Sequence, residues 1–128
     1  MGNPAAKQGD KVMATDQHMI QPPGSAPPAL IPHPFVGTID GGLSADVNIM
    51  GKAAAILGST ASNNPPHMPS GGTFVKPPAN KGTINKGSAT VLINGKPAAR
   101  AGDTALTCND PADMPAGTIV AAGTVLIG

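Results

Sequence analysis

The chain has 128 residues, enough for one domain, and a net charge of +1 with acidic and basic residues scattered along it. This balance excludes the concentrated basic surface by which a protein binds nucleic acid or an anionic membrane. Glycine and proline contribute 17 and 15 residues, whereas tryptophan, tyrosine and glutamate are absent and phenylalanine occurs twice. Because so few large side chains build only a small core, we expect a further source of stability for the folded chain. A bound metal is the obvious one.

The single cysteine, Cys108, cannot form an internal disulfide, which fits synthesis in a reducing compartment. The sequence shows no basic and apolar N-terminal signal, and no apolar run approaches about 20 residues. We therefore expect a protein made in the cytoplasm, with no membrane-spanning segment. If it leaves the cell, we expect an export route without a simple cleavable signal.

The first element along the chain is one of three similar stretches. Residues 4–10 read Pro-Ala-Ala-Lys-Gln-Gly-Asp, residues 53–59 read Ala-Ala-Ala-Ile-Leu-Gly-Ser, and residues 97–103 read Pro-Ala-Ala-Arg-Ala-Gly-Asp. Asp10 and Asp103 follow glycine at matched positions, and we predict that their carboxylates bond the amides of a turn. A repeat of this kind predicts a body with internal pseudo-symmetry.

A second element also recurs three times and predicts short strands. Gly-Thr-Ile begins a β-branched run in each unit, and a Val-X-Ile segment follows after a turn that contains glycine. The Gly-Thr-Ile segments are residues 37–39, 82–84 and 117–119, and the Val-X-Ile segments are residues 47–49, 91–93 and 125–127.

Two of the Val-X-Ile segments run directly into a copy of the first element, and each junction predicts a strand, a tight turn and a second strand. Asn94-Gly95 is the strongest local hairpin signal, because a type I′ turn needs a positive φ at two successive residues. A helix over residues 44–57 is the competing interpretation. We reject it because Gly51 would lie in its interior and Pro97 stands where Ala53 does in the aligned copy.

The third hairpin is split between the two ends of the chain. Residues 125–128 form a first strand without a second, and residues 2–6 form a second strand without a first. We predict that the two pair and close three units into a ring, which removes exposed strand edges. The alternative is that the terminal strands fray.

Three proline-rich segments separate the hairpins, at residues 21–34, 63–78 and 109–115. We predict loops that proline stiffens without secondary structure, and these carry His33 and His67. The alternative is that they are mobile linkers.

The residues that could bind a metal lie at similar distances after the three copies. His18 and His67 each follow their copy by eight residues, Cys108 follows the third copy by five, and His33 lies further along the first unit without a counterpart. Three imidazoles and one thiolate form a donor set for tetrahedral zinc, and iron is the main alternative metal. Taken singly, the cysteine could be a buried apolar residue and the histidines surface groups.

Residues 95–103, Gly-Lys-Pro-Ala-Ala-Arg-Ala-Gly-Asp, contain the tetrapeptide for which the PAAR-repeat family is named. The preceding asparagine and the closing Gly-Asp also resemble that family. The first copy, with Lys7 in place of arginine, resembles it less, and so does the middle copy, with Ala53, Ile56 and Ser59. The resemblance covers essentially the whole chain.

The resemblance implies an all-β, short-stranded, pseudo-threefold cone with proline-rich loops and one structural zinc ion near its apex. It implies that His18, His33, His67 and Cys108 hold that zinc. It also implies a spike-tip protein that caps and sharpens the homotrimeric, VgrG-like spike of a contractile injection system, with one monomer per trimer. The degenerate middle copy and the long loops leave open a type VI secretion system or a phage-tail-like particle.

An enzyme is the rival class, as a small zinc-dependent hydrolase or a stand-alone secreted effector. A zinc hydrolase keeps one coordination position open for water and has a general base nearby. Four protein ligands would leave no such position, and the only acids near the predicted ligands are Asp16 and Asp110. We therefore predict no catalytic residue and no enzyme activity.

The whole chain, residues 1–128, is thus predicted to be one PAAR-like domain with units at approximately 4–49, 53–93 and 97–127. We expect assembly at the tip of the injection apparatus and delivery to a target cell on firing. The spike is the expected partner, and a separate effector is an optional second partner.

Overall fold

The structure is a computed structural model that describes residues 2–69 and 71–128, and these residues form strands and turns with no helix. The strands are β1 (Asn3–Pro4), β2 (Lys11–Gln21), β3 (Ala29–Gly41), β4 (Asn48–Ile49), β5 (Lys52–Ala53), β6 (Thr60–Asn63), β7 (Thr73–Phe74), β8 (Lys81–Ile84), β9 (Leu92–Ile93), β10 (Lys96–Pro97), β11 (Thr104–Thr107), β12 (Met114–Val120) and β13 (Leu126–Ile127). The all-β class predicted from the sequence is confirmed.

Six strands close into an antiparallel barrel. They follow one another in the order β12, β11, β8, β6, β3 and β2, and β12 then pairs with β2 to complete the ring. The short strand β7 adds to the far end of β2, where Phe74 lies opposite Ile20. Closure leaves the barrel strands without the long free edges that favour aggregation.

Three two-stranded hairpins extend from one end of the barrel: β4 with β5, β9 with β10, and β13 with β1. In the last of these, Asn3 pairs with Ile127, so the two ends of the chain together form one hairpin. The turn between β9 and β10 has Asn94 at φ 53° and Gly95 at φ 77°, as a type I′ turn requires. The helix considered over residues 44–57 is absent, because these residues include β4 and β5.

A cyclic set of hydrogen bonds joins the three copies. The amide of Ala6 donates to the carbonyl of Ala99 at 3.0 Å, Ala99 donates to Ala55 at 3.1 Å, and Ala55 donates back to Ala6 at 3.0 Å. All three alanines have no exposed surface. The predicted pseudo-threefold symmetry therefore exists in the backbone itself, and small side chains are needed where the three copies meet.

The turn that follows each alanine run is also repeated. Asp10 Oδ2 accepts the Lys7 amide at 2.9 Å, and Asp103 Oδ2 accepts the Arg100 amide at the same distance. In the middle copy Ser59 Oγ takes over this function. The prediction that the aspartates bond turn amides is confirmed.

The glycine that begins a repeated Gly-Thr-Ile segment packs against the side chains that fill the barrel interior. A Cβ on Gly37 would lie 2.6 Å from Phe35 Cε1, and one on Gly117 would lie 2.8 Å from Val12 Cγ1. The buried core around them consists of Phe35 and small or β-branched residues. Glycine at positions 37 and 117 is therefore a requirement of packing.

The expectation of a loop over residues 21–34 is wrong for its second half, because β3 begins at Ala29. Here β2 and β3 continue past the barrel as a long hairpin in which Asp16 pairs with His33. Pro32 and Pro34 fit in β3 because β6 pairs only with its later residues, so this part of β3 is an edge that needs no outward amide. His33 is consequently held on a strand.

The division into one domain of three units stays a prediction. Within the described residues, no helix has the length and apolar character needed to cross a membrane.

Candidate metal centre

The four residues predicted to bind a metal come from separate parts of the fold. His18 lies in β2, His33 in β3, His67 in the connection between β6 and β7, and Cys108 directly after β11. All four are buried. They lie beyond the barrel on the side opposite the three hairpins, because β2 starts beside the hairpin end and runs away from it.

The rings of the three histidines form a triangle. The ring centroids of His18 and His67 are 5.0 Å apart, and the ring centroid of His33 lies 5.6 Å from each of them. The rings meet edge to face, at interplanar angles of 60° to 69°. The structure thus brings together imidazoles that are far apart in the chain.

Four buried residues place their ligand atoms within 4.8 Å of one another: Asp16, His18, His67 and Cys108. This Asp/His/His/Cys group could hold a metal ion. His33 adjoins the group through its ring contacts but is not a member of it, and Asp16, which was not predicted as a ligand, is. The set of His18, His33, His67 and Cys108 stays a prediction.

Three histidine nitrogens are buried and have no hydrogen-bond partner in the part of the chain that the structure describes: Nδ1 and Nε2 of His18 and Nε2 of His33. His33 Nδ1 lies 2.8 Å from the carbonyl oxygen of Ile31 and can only donate there. The proton therefore belongs on Nδ1, and Nε2 of His33 presents a lone pair to the interior. Buried polar atoms of this kind need an explanation, and an ion among them supplies one.

The surroundings keep His18 in the neutral form that metals bind. Burial lowers the pKa of His18, the neighbouring His67 lowers it further, and the carboxylates of Asp110 and Asp16 oppose both effects. Asp110 Oδ2 lies 3.6 Å from His18 Nδ1. At this distance Asp110 acts on His18 through its charge and not through a hydrogen bond.

Burial and the carboxylate of Asp16 raise the pKa of the Cys108 thiol to about 11, while the backbone amides of Asn80 and Lys81 act in the opposite direction. Without a cation the sulfur is thus a thiol, in contact with Asp16 at 3.4 Å. A divalent ion would reverse this, because a coordinating thiol loses its proton.

Aromatic side chains cover the cluster. The ring of Phe74 lies 5.7 Å from that of His18 and 5.6 Å from that of His33, and Phe35 lies 6.0 Å from His67. A cavity of about 290 Å³ lies beside His33 and His67, and its other lining residues are mostly proline, valine and methionine. The donors are therefore shielded from most directions.

These donors fit a borderline ion with a preference for nitrogen and sulfur. Imidazole nitrogen and thiolate sulfur are the ligands of structural zinc sites, and carboxylate oxygen is also accepted. A family model described as the PAAR motif matches residues 31–105 and residues 75–128.

The chain belongs to the PAAR-motif family.

Together the two matches span residues 31–128, which include His33, His67 and Cys108. The family resemblance predicted from the third copy is confirmed. No curated protein matches the sequence. PAAR membership suggests a spike-tip-type protein of secretion and contractile systems and is consistent with a structural role.

The PAAR resemblance did not point to Asp16, but the strand pattern could have. Side chains two residues apart share one face of a strand, so Asp16 and His18 on β2 point the same way. The alternation of buried residues along β2 passes through both. The omission arose because residues 11–21 were not predicted to be a strand.

Proposed function

We propose that this PAAR protein caps and sharpens the trimeric, VgrG-like spike of a contractile injection system and that one zinc ion stabilises its tip. The observation that carries the proposal is the placement of two features at opposite ends. A pseudo-threefold set of hairpins forms one end, and a buried group of metal donors lies at the other.

The hairpin end is the proposed surface for the spike. Ile49, Ile93 and Ile127 occupy matched positions and are buried. They pack in one cluster with Ala5, Ala54 and Ala98. Outside them, Leu92 and Leu126 are 61% and 58% exposed. A surface with approximate threefold symmetry suits the end of a homotrimer, which offers three identical sites to one monomer. Exposed leucines occupy two of its three matched positions, and Asn48 occupies the third.

The other end is the proposed piercing tip. Its residues come from four segments, so the conformation of the tip depends on contacts between distant parts of the chain. His18, His33, His67 and Cys108 would hold zinc, which supplies redox-inactive coordination bonds that link these segments. With every position taken by protein, no site remains for a catalytic water, and we propose that the protein is not an enzyme.

The protein would be made in the bacterial cytoplasm, assembled on the spike and delivered with it to the target cell on firing. The exposed tip of the β2–β3 hairpin leaves a surface on which a separate effector could be carried. Whether the apparatus is a type VI secretion system or a phage-tail-like particle does not change the mechanical function proposed here.

Binding to the spike is tested by mixing the purified protein with the trimeric spike protein encoded near it and measuring the mass of the complex. We expect one monomer per trimer. A self-associated trimer of this protein, or no complex, would contradict the proposal.

The surface is tested with Leu92→Asp combined with Leu126→Asp, which places charge on the hairpin end. We expect binding to weaken more than tenfold, because burying a leucine contributes about 1.5–3 kcal/mol. Leu30→Asp is the matched control, since Leu30 is 52% exposed on the opposite, metal-bearing hairpin. Equal loss of binding in both would show that the hairpin end is not the interface.

A further inference from the structure

Asp16 is a fully buried carboxylate whose two oxygens have different surroundings. Oδ1 accepts hydrogen bonds from Thr107 Oγ1 at 2.5 Å and Asn109 Nδ2 at 3.4 Å. Oδ2 faces the predicted metal ligands, 2.8 Å from His67 Nε2 and 3.4 Å from Cys108 Sγ. Hydrogen bonds thus hold Oδ1 in place, and Oδ2 faces His67 and Cys108.

The burial of this carboxylate demands a positive partner. A buried charge is tolerated only when it is paired or bound to a metal. Among the described residues the only ion pair of Asp16 is with His67, and it exists only if that imidazole is protonated. A protonated His67 could not bind a metal through the nitrogen that faces Asp16.

The short distance between His67 Nε2 and Asp16 Oδ2 is therefore informative. A neutral His67 protonated at Nε2 would donate to Oδ2 and leave Nδ1 for the ion, which would make Asp16 an outer partner. The ligand atoms of Asp16, His18, His67 and Cys108 all lie within 4.8 Å of one another, which favours an ion in contact with Oδ2 itself. If His67 binds that ion through Nε2, the nitrogen has a lone pair and no proton. Two lone pairs 2.8 Å apart repel each other unless a cation lies against both. Donors that each lie about 2.0–2.2 Å from one zinc ion can be this close to one another.

We infer that Asp16 Oδ2 is a direct ligand of the same ion, in addition to His18, His33, His67 and Cys108. The inference rests on the proposed metal site. One thiolate and one carboxylate balance the two positive charges of zinc, so the buried centre is neutral. Three imidazoles and a thiolate alone would leave a net positive charge in the interior. Thr107 and Asn109 are positioning residues, because they hold the carboxylate so that Oδ2 faces the ion.

The test is X-ray absorption spectroscopy on the zinc-loaded full chain, which counts the ligands of the ion directly. We expect one sulfur and four nitrogen or oxygen ligands. One sulfur with three nitrogen or oxygen ligands would overturn the inference and leave the proposed zinc site intact. A chain that binds no zinc would overturn both.

The same point is tested in the cobalt-substituted protein, whose visible absorption bands intensify when coordination falls from five to four. We expect this change in Asp16→Asn, with more than a hundredfold weaker zinc binding, whereas loss of an outer partner costs about 10–100-fold. Asp110→Asn is the matched control, since Asp110 also lies beside His18. An Asp16→Asn spectrum identical to that of the unaltered protein would contradict direct ligation.

Discussion

The rings of His18 and His67 lie 5.0 Å apart, centroid to centroid, and each histidine follows its copy of the repeat by eight residues. The repeat explains why these two rings lie close together. Both copies join the same central ring of alanines, and the chain leaves each copy into a barrel strand. His18 lies within the long strand β2, whereas His67 lies four residues after the end of the shorter strand β6, yet the equal count of residues brings both rings to the same cluster. Pseudo-symmetry thus places matched residues around one axis.

The thiol of Cys108 is the donor whose loss should cost the most. We predict that Cys108→Ser abolishes stoichiometric metal binding and lowers the melting temperature. At free zinc a thousandfold above Kd, the lost stabilisation is about 4 kcal/mol. Metal analysis and thermal unfolding check this, with Ala112→Ser, at an exposed site in the following connection, as the control. Unchanged metal content in Cys108→Ser would rule the sulfur out as a ligand.

The aspartate that closes the third turn should be replaceable by the residue of the middle copy. Asp103→Ala leaves the Arg100 amide without its acceptor, which costs about 1–3 kcal/mol when buried. Asp103→Ser should recover most of this loss, because Ser59 bonds the Ile56 amide at the matched position. Equal destabilisation of both variants in chemical denaturation would show that the turn bond is not the cause.

Two glycines at matched positions should differ in tolerance. A Cβ at Gly37 meets Phe35 at 2.6 Å, whereas one at Gly82 meets its nearest atoms at 3.4 Å. We predict that Gly37→Ala lowers the free energy of unfolding by about 1–3 kcal/mol through overpacking. Gly82→Ala should be close to neutral. Adding Phe35→Leu to Gly37→Ala should relieve part of the cost, and a purely additive loss would argue against the clash.

The two phenylalanines should have separable functions. Phe35 is fully buried in the barrel, and Phe35→Ala should cost about 3–5 kcal/mol. Phe74 is partly buried and covers His18 and His33. We predict that Phe74→Ala retains one ion per chain but loses it faster to a chelator, because the donors gain access to water. Identical chelation rates in Phe74→Ala and the unaltered protein would contradict a covering function.

Three features could be predicted because each depends on local chemistry: the hairpins, the barrel strands that contain the Gly-Thr-Ile segments, and the turn aspartates. Asn94-Gly95 needs positive φ, and the Gly-Asp turn needs an acceptor for its amide. The long β2–β3 hairpin was missed because prolines at 32 and 34 argue against a strand. Only the sheet shows that, among the described residues, no strand pairs with this edge of β3. Asp16 was missed with it.

The predicted ligands show the same division. The repeat relates His18 to His67, but His33 has no counterpart and reaches the cluster only because β3 pairs with β2 beyond the barrel. Such non-local pairing is not written in any short window of sequence.

The most direct test of the central claim is metal analysis of the purified native chain, joined to thermal unfolding before and after chelation. We predict one zinc ion per chain, a marked fall in melting temperature when it is removed and full recovery when zinc is restored. A folded chain that carries no metal and melts at the same temperature with or without zinc would contradict it.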